Sequence, residues 1–595
     1  LPRVSKEYNS VVKPSKLLIA NRGEIAIRVI RTAREMGLRT VAAYSEADRG
    51  ARHVLMADEA YLLGPAPPAQ SYLDAEKVLA VAARAGADAV HPGYGFFSEN
   101  AEFARAVERA GLLWIGPNPG AIDAAGDKVR ARAAMIAAGI PVVPGGARAL
   151  ESMDDVRAAA ATYGFPLVLK ASGGGGGKGL KVARTPDELA SAFTTARREA
   201  QAYFKNATIY AERYLENPKH IEVQILADRH GTVLHVGERD CSLQRRRQKL
   251  LEETPPNISP ALREAIRASG LAAARAISYD SVGTVEFLAT DDAFYFLEMN
   301  TRIQVEHTVT EMVSGIDLIR EQIRVAAGEK LGYGQERIAC NGHAIEIRVN
   351  AEDPARDFAP APGTITAYEQ PSGPGVRVDS AAFAGCTIPP DYDSLIAKLI
   401  VWAPTRDQAV ARLRRAIDEF TIRGVPTTLG FLRSLLDHPP VADATYGTAT
   451  LEAFAATLAP ADEEESFSSE TASYAAQEIV RVEIDDRFYA VRLLDLPGTE
   501  GLRKPRARKK APTENHAATS SDDISSPIHG VLAAIDALPG ASVKAGQVIA
   551  VIEAMKMMNE IRAHRDGTVK SVHAEIGATV ERHAVLISLA KNGQA

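Results

Sequence analysis

Between the apolar segment Leu167-Val168-Leu169-Lys170 and the next, Leu180-Lys181-Val182, stands Ser172-Gly173-Gly174-Gly175-Gly176-Gly177-Lys178-Gly179, with five successive glycines. Such a run suits no helix or strand interior, because glycine forfeits more conformational entropy on ordering than any other residue. Directly after a strand, it presents backbone N–H groups with no Cβ in the way, which lets the chain close over a polyphosphate. A mobile linker is the alternative, and it explains the flanking apolar segments poorly. The run is not a Walker A loop, since Lys178 is followed by Gly179 rather than Ser or Thr. Gly23 alone near the first strand makes no dinucleotide fingerprint either.

A chain of 595 residues is too long for one core, and at about 150 residues per domain about four domains are expected. Lys16-Leu17-Leu18-Ile19-Ala20 reads as a buried strand, 24–36 as a helix with Ile25, Val29 and Ala33 on one face, and 40–44 as a second strand. That opens a doubly wound α/β domain, expected over 14–126. The α/β texture continues through 127–335 and 336–455 without a low-complexity break. Within 456–500, Asp462-Glu463-Glu464-Glu465 and the serines after it form a solvated linker, and 480–493 alternates like a hairpin about Asp485-Asp486-Arg487. Residues 501–523 read as a flexible tether with an r.m.s. span of roughly 25–29 Å.

Six basic residues between Arg503 and Lys510 raise the question of nucleic acid, but the net charge of −6 and the lack of interleaved aromatics speak against it. Cys241, Cys340 and Cys386 are too separated for a disulfide framework or a zinc site, which suits a reducing, cytoplasmic compartment. Residues 1–10 lack the apolar core of a secretory signal. The uncharged run 133–147 is broken by Pro141 and Pro144, so no membrane span is expected.

Residues 524–592 contain a repeat. Gly530-Val531-Leu532 matches Gly567-Thr568-Val569 at an offset of 37, and Val543-Lys544-Ala545-Gly546 matches Glu575-Ile576-Gly577-Ala578 loosely, with the glycines 31 apart. Two short-stranded halves suggest a small pseudo-symmetric all-β domain. Between them lies Glu553-Ala554-Met555-Lys556-Met557-Met558. Methionine is more often core filler, but tandem methionines around a turn lysine present that lysine for modification.

A second chemical signal is a carboxylate hairpin. Val285-Glu286-Phe287-Leu288 and 294–300 flank Asp291-Asp292-Ala293, and a three-residue loop there pairs Glu286 with Glu298. Strand alternation puts Glu298 and Asn300 on one face. Oxygen ligands converging on otherwise apolar strands suit Mg²⁺ bridging ATP phosphates; exposed strand charges are the plainer reading. The alternation is expected to continue, so that Arg302, Gln304 and Glu306 share a face able to bind and deprotonate a small oxyanion. Gln244-Arg245-Arg246-Arg247-Gln248-Lys249 and Arg348 add cations, unless they are a solvated surface.

At these residues the sequence resembles the biotin-dependent carboxylases: Lys16 to Ile30 (KLLIANRGEIAIRVI), the glycine run, Glu298 to His307 (EMNTRIQVEH) and Glu553 to Met558 (EAMKMM) are each similar to signatures of that family. The resemblance covers nearly the whole chain. It implies an ATP-grasp biotin carboxylase to about residue 455, with a lid over about 142–205, and an all-β biotin carboxyl carrier domain over 524–592. Residue by residue, it implies that Lys128, Lys170, Gly176 and Gly177 contact ATP phosphates, that Glu212, Arg213, Tyr214 and Leu215 bind adenine, and that His220 and Gln244 lie near the ribose. It implies Mg²⁺ or Mn²⁺ on Glu286, Glu298 and Asn300. Bicarbonate is expected on Lys249, Arg302, Gln304 and the Val305 backbone, with Glu306 as general base, Arg348 facing biotin, and biotin on Lys556. Arg247 departs from members that carry His there.

The implied reaction is ATP- and bicarbonate-dependent carboxylation of carrier-bound biotin. The implied partners are a biotin protein ligase and a carboxyltransferase (β) subunit, in a homo-oligomer within a larger complex, with neither nucleic acid nor membrane. A short insert before the carrier favours acetyl- or propionyl-CoA. The alternatives are the same module from a pyruvate or urea carboxylase, or a non-catalytic biotin scaffold.

Overall fold

Leu17 and Ile19 belong to one apolar layer with Ile25, Val29 and Ala33, while Leu18 belongs to the opposite layer with Val41, Ala82, Phe103 and Trp114. A strand buried on both faces belongs in a parallel sheet covered by helices. In the computed structural model, strands Lys16–Ile19, Arg39–Ser45, Glu59–Gly64, Ala89–His91 and Leu113–Trp114 form that sheet. The third strand lies at one edge and the first at the centre, and every pairing is parallel. The doubly wound expectation holds, with the first helix at Gly23–Glu35.

The structure describes residues 11, 13–146, 149–171, 180–204, 206–246, 248–457, 479–484, 487–492, 522–528, 530–555, 557–581 and 583–590, with backbone alone at 128–129, 202–204, 479–484, 487–492 and 557. The glycine run with Gly176 and Gly177, the Lys128 side chain, Arg247, Lys556 and nearly all of 501–523 therefore lie outside the described residues. Contacts divide the chain into two units, one of Leu1–Leu458 with Glu553–Asn559 and one of Ala459–Ile552 with Glu560–Ala595.

The first unit is dominated by an eight-stranded sheet, ordered Phe294–Asn300, Ser281–Ala289, Lys219–Ala227, Val233–Arg245, Gln248–Thr254, His343–Asn350, Leu395–Ala403 and Val376–Ser380. The domain boundary expected at 335/336 is no break in this sheet, because Gln248–Thr254 pairs with His343–Asn350 from Leu251↔Ile347 to Thr254↔Ala344. Along Lys219–Ala227, Ile221, Val223 and Ile225 enter an apolar core, and period two sends His220, Glu222 and Gln224 to the other face. That face is also buried.

Two local expectations need correction. Glu286 does pair with Glu298, but the connecting loop has four residues, 290–293, and a bulge between Glu286 and Phe287 restores the register. The strand ends at Asn300, so Arg302, Gln304 and Glu306 do not alternate along a strand; residues 301–306 form an irregular turn before the helix His307–Ser314. The sheet that flanks the glycine run, Leu180–Ala183, Leu167–Ala171 and Ile209–Arg213, adds a strand beyond residue 205.

In the second unit, Ile479–Ile484 and Arg487–Arg492 form the expected hairpin. The repeat is a two-fold exchange of strands. One sheet runs Asp523–Ser525, Val585–Ala590, Gly567–Val572, Ser542–Val543, and the other Met557–Arg562, Val548–Ala554, Gly530–Ile535, Thr579–Val580. Three of these strand pairs start 37 residues apart, at 530 and 567, 542 and 579, and 548 and 585. The loose glycine match is thereby corrected: Gly577 (φ 89°) corresponds to Gly540 (φ 89°), and Gly546 (φ 80°) to His583 (φ 70°). Among the described residues no helix is long and apolar enough to cross a membrane.

Glu253 fastens the middle of the large unit. Its buried carboxylate accepts from His343 Nε2 (2.7 Å), Arg406 Nε (2.9 Å) and Tyr446 Oη (2.5 Å). Burial pushes this carboxyl up, but His343 and Arg406 outweigh it and hold it at about 2. A folded-state value below the unfolded one means stability that is present above about pH 4.5 and lost as pH falls toward 2. Glu253→Gln should therefore lower the thermal midpoint at pH 7, by a loss of about 3–5 kcal/mol. Melting curves of both proteins should converge as pH falls below 4.5.

Candidate active site

Three glutamates stand abreast on the polar face of the sheet. Glu286 is directly opposite Glu222 on one side and Glu298 on the other. Like charges facing each other across a ladder repel, so this arrangement requires cations, and the neighbouring strands provide them. Arg239, opposite Glu222 and without exposed area, donates to Glu222 (2.9 and 3.2 Å), Gln224 (2.6 Å), Thr284 (3.1 Å), Thr310 (3.0 Å) and Gln304 Oε1 (2.8 Å). Lys249 Nζ donates to Glu222, to Glu306 Oε1 (2.6 Å) and to Glu286 Oε1 (3.2 Å). His220 Nε2 lies 3.1 Å from Glu286 and 3.3 Å from Glu222.

The protonation states follow from this packing. Burial favours the neutral form of every group, yet the Lys249 ammonium and protonated His220 hold Glu286 well below the carboxylate range. For Glu306 the same burial is outweighed by Lys249 and Arg348, against the opposing Glu222, so its carboxyl also stays low. Burial lowers His220, but Glu286 and Glu222 more than reverse this, and it titrates at about 9. Glu252 is pushed up to about 7 by burial, despite Arg348 beside it.

The irregular turn after Asn300 folds its side chains back onto the acidic row, whereas a continued strand at about 3.3 Å per residue would carry Glu306 roughly 20 Å beyond Asn300. Gln304 Nε2 and Asn300 Nδ2 donate to Glu286 Oε1 at 2.9 and 2.8 Å. Arg302 donates to Asn300 Oδ1 (3.2 Å) and to Glu99 Oε2 (2.9 Å). Glu306 Oε2 accepts from Arg348 Nη2 at 3.0 Å, and Arg348 Nε donates to Glu252 at 2.6 Å. Glu286, Asn300, Arg302, Gln304, Glu306, Lys249, Arg348 and His220 thus form one network, and Glu298 adjoins it.

A second group forms on the smaller sheet. Lys170 donates to Glu212, which also accepts from Arg132 at 3.1 Å. Arg213 and Tyr214 donate their backbone N–H groups to Pro144 and Pro166, and Leu215 is half-buried just beyond. Of the basic stretch 244–249, Lys249 alone among the described residues enters the network. Gln244 Nε2 donates to the Cys241 carbonyl (2.8 Å), and Arg245 and Arg246 pair with Asp357.

Sequence reasoning missed Glu222, Arg239, Glu252 and Glu99. Ile221-Glu222-Val223-Gln224-Ile225 alternates like a half-solvated strand, and nothing local shows that its polar face is covered. The donors on Glu286, Glu298 and Asn300 are two carboxylates and an amide oxygen on neighbouring ladder positions, a set suited to a hard, oxygen-preferring cation such as Mg²⁺ or Mn²⁺.

Family models match nearly the whole chain: "Biotin carboxylase, N-terminal domain" over 13–122, "Carbamoyl-phosphate synthase L chain, ATP binding domain" over 127–333, "Biotin carboxylase C-terminal domain" over 346–453 and "Biotin-requiring enzyme" over 522–589. The chain belongs to the biotin carboxylase family. A biotin-dependent acyl-coenzyme A carboxylase alpha3 subunit of Mycobacterium leprae is 43% identical over 97% of this chain and 98% of its own length. Biotin carboxylase 1 of Bacillus subtilis is 50% identical over 74% of this chain and 98% of its own. The biotin carboxylase of Campylobacter jejuni, solved with an ATP analogue, superposes with a TM-score of 0.72 at 44% identity, covering 74% of this chain and 99% of that one. The chain is thus an ATP-grasp biotin carboxylase joined to an all-β biotin carrier domain, and its reaction is ATP- and bicarbonate-dependent carboxylation of biotin.

In this biotin carboxylase Arg239 is the group at the Glu222 end of the acidic row. Arg239→Lys keeps the charge but replaces a five-donor fork by three donors on a point charge. The variant should melt at a lower temperature and lose about tenfold or more in turnover as Gln304 and Glu222 lose their hold. Circular dichroism melting and bicarbonate-dependent ATP cleavage measure the two effects.

Proposed function

We propose that Glu306, Lys249 and Arg348 carry the proton-transfer and electrostatic work of biotin carboxylation. The observation that carries this is Glu306, buried yet ionised, held between Lys249 at 2.6 Å and Arg348 at 3.0 Å. An oxyanion entering beside Lys249, Arg302, Gln304 and the Val305 backbone draws Lys249 onto itself. Glu306, less neutralised, then becomes the better base for the bicarbonate proton. The deprotonated oxyanion attacks the γ-phosphate of ATP and expels ADP, Lys249 and Arg302 stabilise the charge that develops, and the carboxyphosphate so formed breaks down to phosphate and the CO₂ that the biotin nitrogen takes up. Mg²⁺ or Mn²⁺ on Glu286, Glu298 and Asn300 would neutralise the phosphate oxygens. Arg348 stabilises negative charge on the biotin ureido oxygen while its nitrogen is deprotonated.

On this reading Lys128, Lys170, Gly176 and Gly177 contact the phosphates, Glu212, Arg213, Tyr214 and Leu215 hold the adenine, and Gln244 serves the ribose. His220, against Glu286, fits a place beside the metal better than one at the ribose. The segments 14–126, 127–335, 336–455, 456–500, 501–523 and 524–592 are read as the working parts, with biotin on Lys556.

The end-to-end match to an acyl-coenzyme A carboxylase α subunit favours an acyl-CoA as the final acceptor, acetyl- or propionyl-CoA among them. The corresponding pyruvate carboxylase chain of Methanothermobacter thermautotrophicus matches 71% of this chain, so that reading accounts for less of it. A carboxyltransferase subunit would complete the reaction, a biotin protein ligase would charge Lys556, and the chain would work as a homo-oligomer in the cytoplasm.

Two substitutions test these roles. Glu306→Gln should reduce bicarbonate-dependent ATP cleavage by about 10²–10⁴-fold with the fold intact; wild-type turnover would refute the base assignment. Lys556→Arg should abolish biotin attachment and acyl-CoA carboxylation with the partner subunit, yet leave carboxylation of free biotin near wild type. Equal loss of both activities would show that Lys556 acts in the catalytic site itself.

A further inference from the structure

Lys398 has no exposed area, and it lies in the strand Leu395–Ala403 directly opposite Arg348 on one side and Asp379 on the other. A lysine removed from water must satisfy its donors and have its charge compensated. Its Nζ is 3.2 Å from Glu24 Oε1 and 4.0 Å from Asp379 Oδ2, which compensates the charge. Glu24, buried in the first turn of the helix Gly23–Glu35, also accepts from the Tyr94 hydroxyl. A further contact of the ammonium goes elsewhere: Nζ donates to the Val305 carbonyl at 3.0 Å.

Buried ion pairs are poor sources of stability, since the cost of desolvating both charges is close to or greater than their attraction. A lysine kept here at that cost, with a donor spent on one carbonyl, calls for a reason outside stability. Val305 precedes Glu306, and residues 301–306 have no ladder of their own to hold them. Arg348 grips the far end of the Glu306 side chain. Its cross-strand neighbour Lys398 grips the backbone from which that side chain springs.

We propose that Lys398 is a positioning residue for biotin carboxylation: by holding the Val305 carbonyl it fixes the turn that presents Glu306 and the Val305 backbone to bicarbonate. Through this lysine the first helix of the N-terminal domain, which carries Glu24, is also tied to the active site, besides the contact of Glu99 with Arg302. The inference rests on the reading of Glu306 as the group that acts on bicarbonate.

The test uses the full chain and steady-state ATP cleavage with bicarbonate and ATP varied separately. Lys398→Met should lower kcat/KM for bicarbonate by about 10–100-fold, since a displacement near 1 Å costs about that much. The KM for ATP should stay within about twofold. Lys398→Met leaves Glu24 without its cation, so the thermal midpoint falls as well. The double variant Lys398→Met/Glu24→Gln removes that charge and should recover the midpoint while the bicarbonate defect persists. Recovery of bicarbonate kcat/KM together with the midpoint would overturn the proposal, as would unchanged bicarbonate kinetics, an equal loss for ATP, or failure of both variants to fold. Wild-type turnover in Glu306→Gln would instead overturn the underlying reading of the site, so the two failures are distinguishable.

Discussion

The repulsion among Glu222, Glu286 and Glu298, side by side across three strands, is the constraint that the surrounding structure answers. At the Glu222 end of the row Arg239 spends its donors on five residues. Lys249 bridges Glu222, Glu286 and Glu306. Removing either cation leaves the buried carboxylates with less compensation, which is the costly way to break an ion pair. The cluster is therefore built as a unit.

That cluster depends on a single sheet running through parts of the chain that look separate in sequence. The acidic row lies at one end, Lys249 and Glu252 in the middle, and Arg348, Lys398 and Asp379 toward the other end. Because neighbouring strands sit about 4.8 Å apart, side chains on one face are spaced closely enough to share protons and charge. Glu253, clamped by His343, Arg406 and Tyr446, secures the middle of this arrangement from the C-terminal region. Domain boundaries drawn along the sequence cut across this continuity, since hydrogen bonds between strands ignore chain order.

The small domain is organised by symmetry instead. Strands related by the repeat exchange sheets, so each half completes the other's core and neither is expected to fold alone. The turn between the halves is the place where a side chain can be displayed without disturbing either sheet.

Much of this was legible in local patterns. Period-two alternation with apolar partners marked the strands, an apolar stripe marked the first helix, and the offset of 37 marked the repeat, because each reflects a periodicity that burial imposes on neighbouring residues. Glu286, Glu298 and Asn300 could be named from residue type and spacing along one hairpin, and Arg302, Gln304 and Glu306 from residue type just after it. The residues that make them work could not. Glu222 sits on a strand that reads as half-solvated, and Arg239, Glu99 and Lys398 reach the network from segments remote in the chain. Arg302, Gln304 and Glu306 converge through an irregular turn, not through strand alternation. Local chemistry is written in residue order, but whether a polar face is covered, and which cation covers it, depends on strands paired at long range, and no periodicity records that pairing.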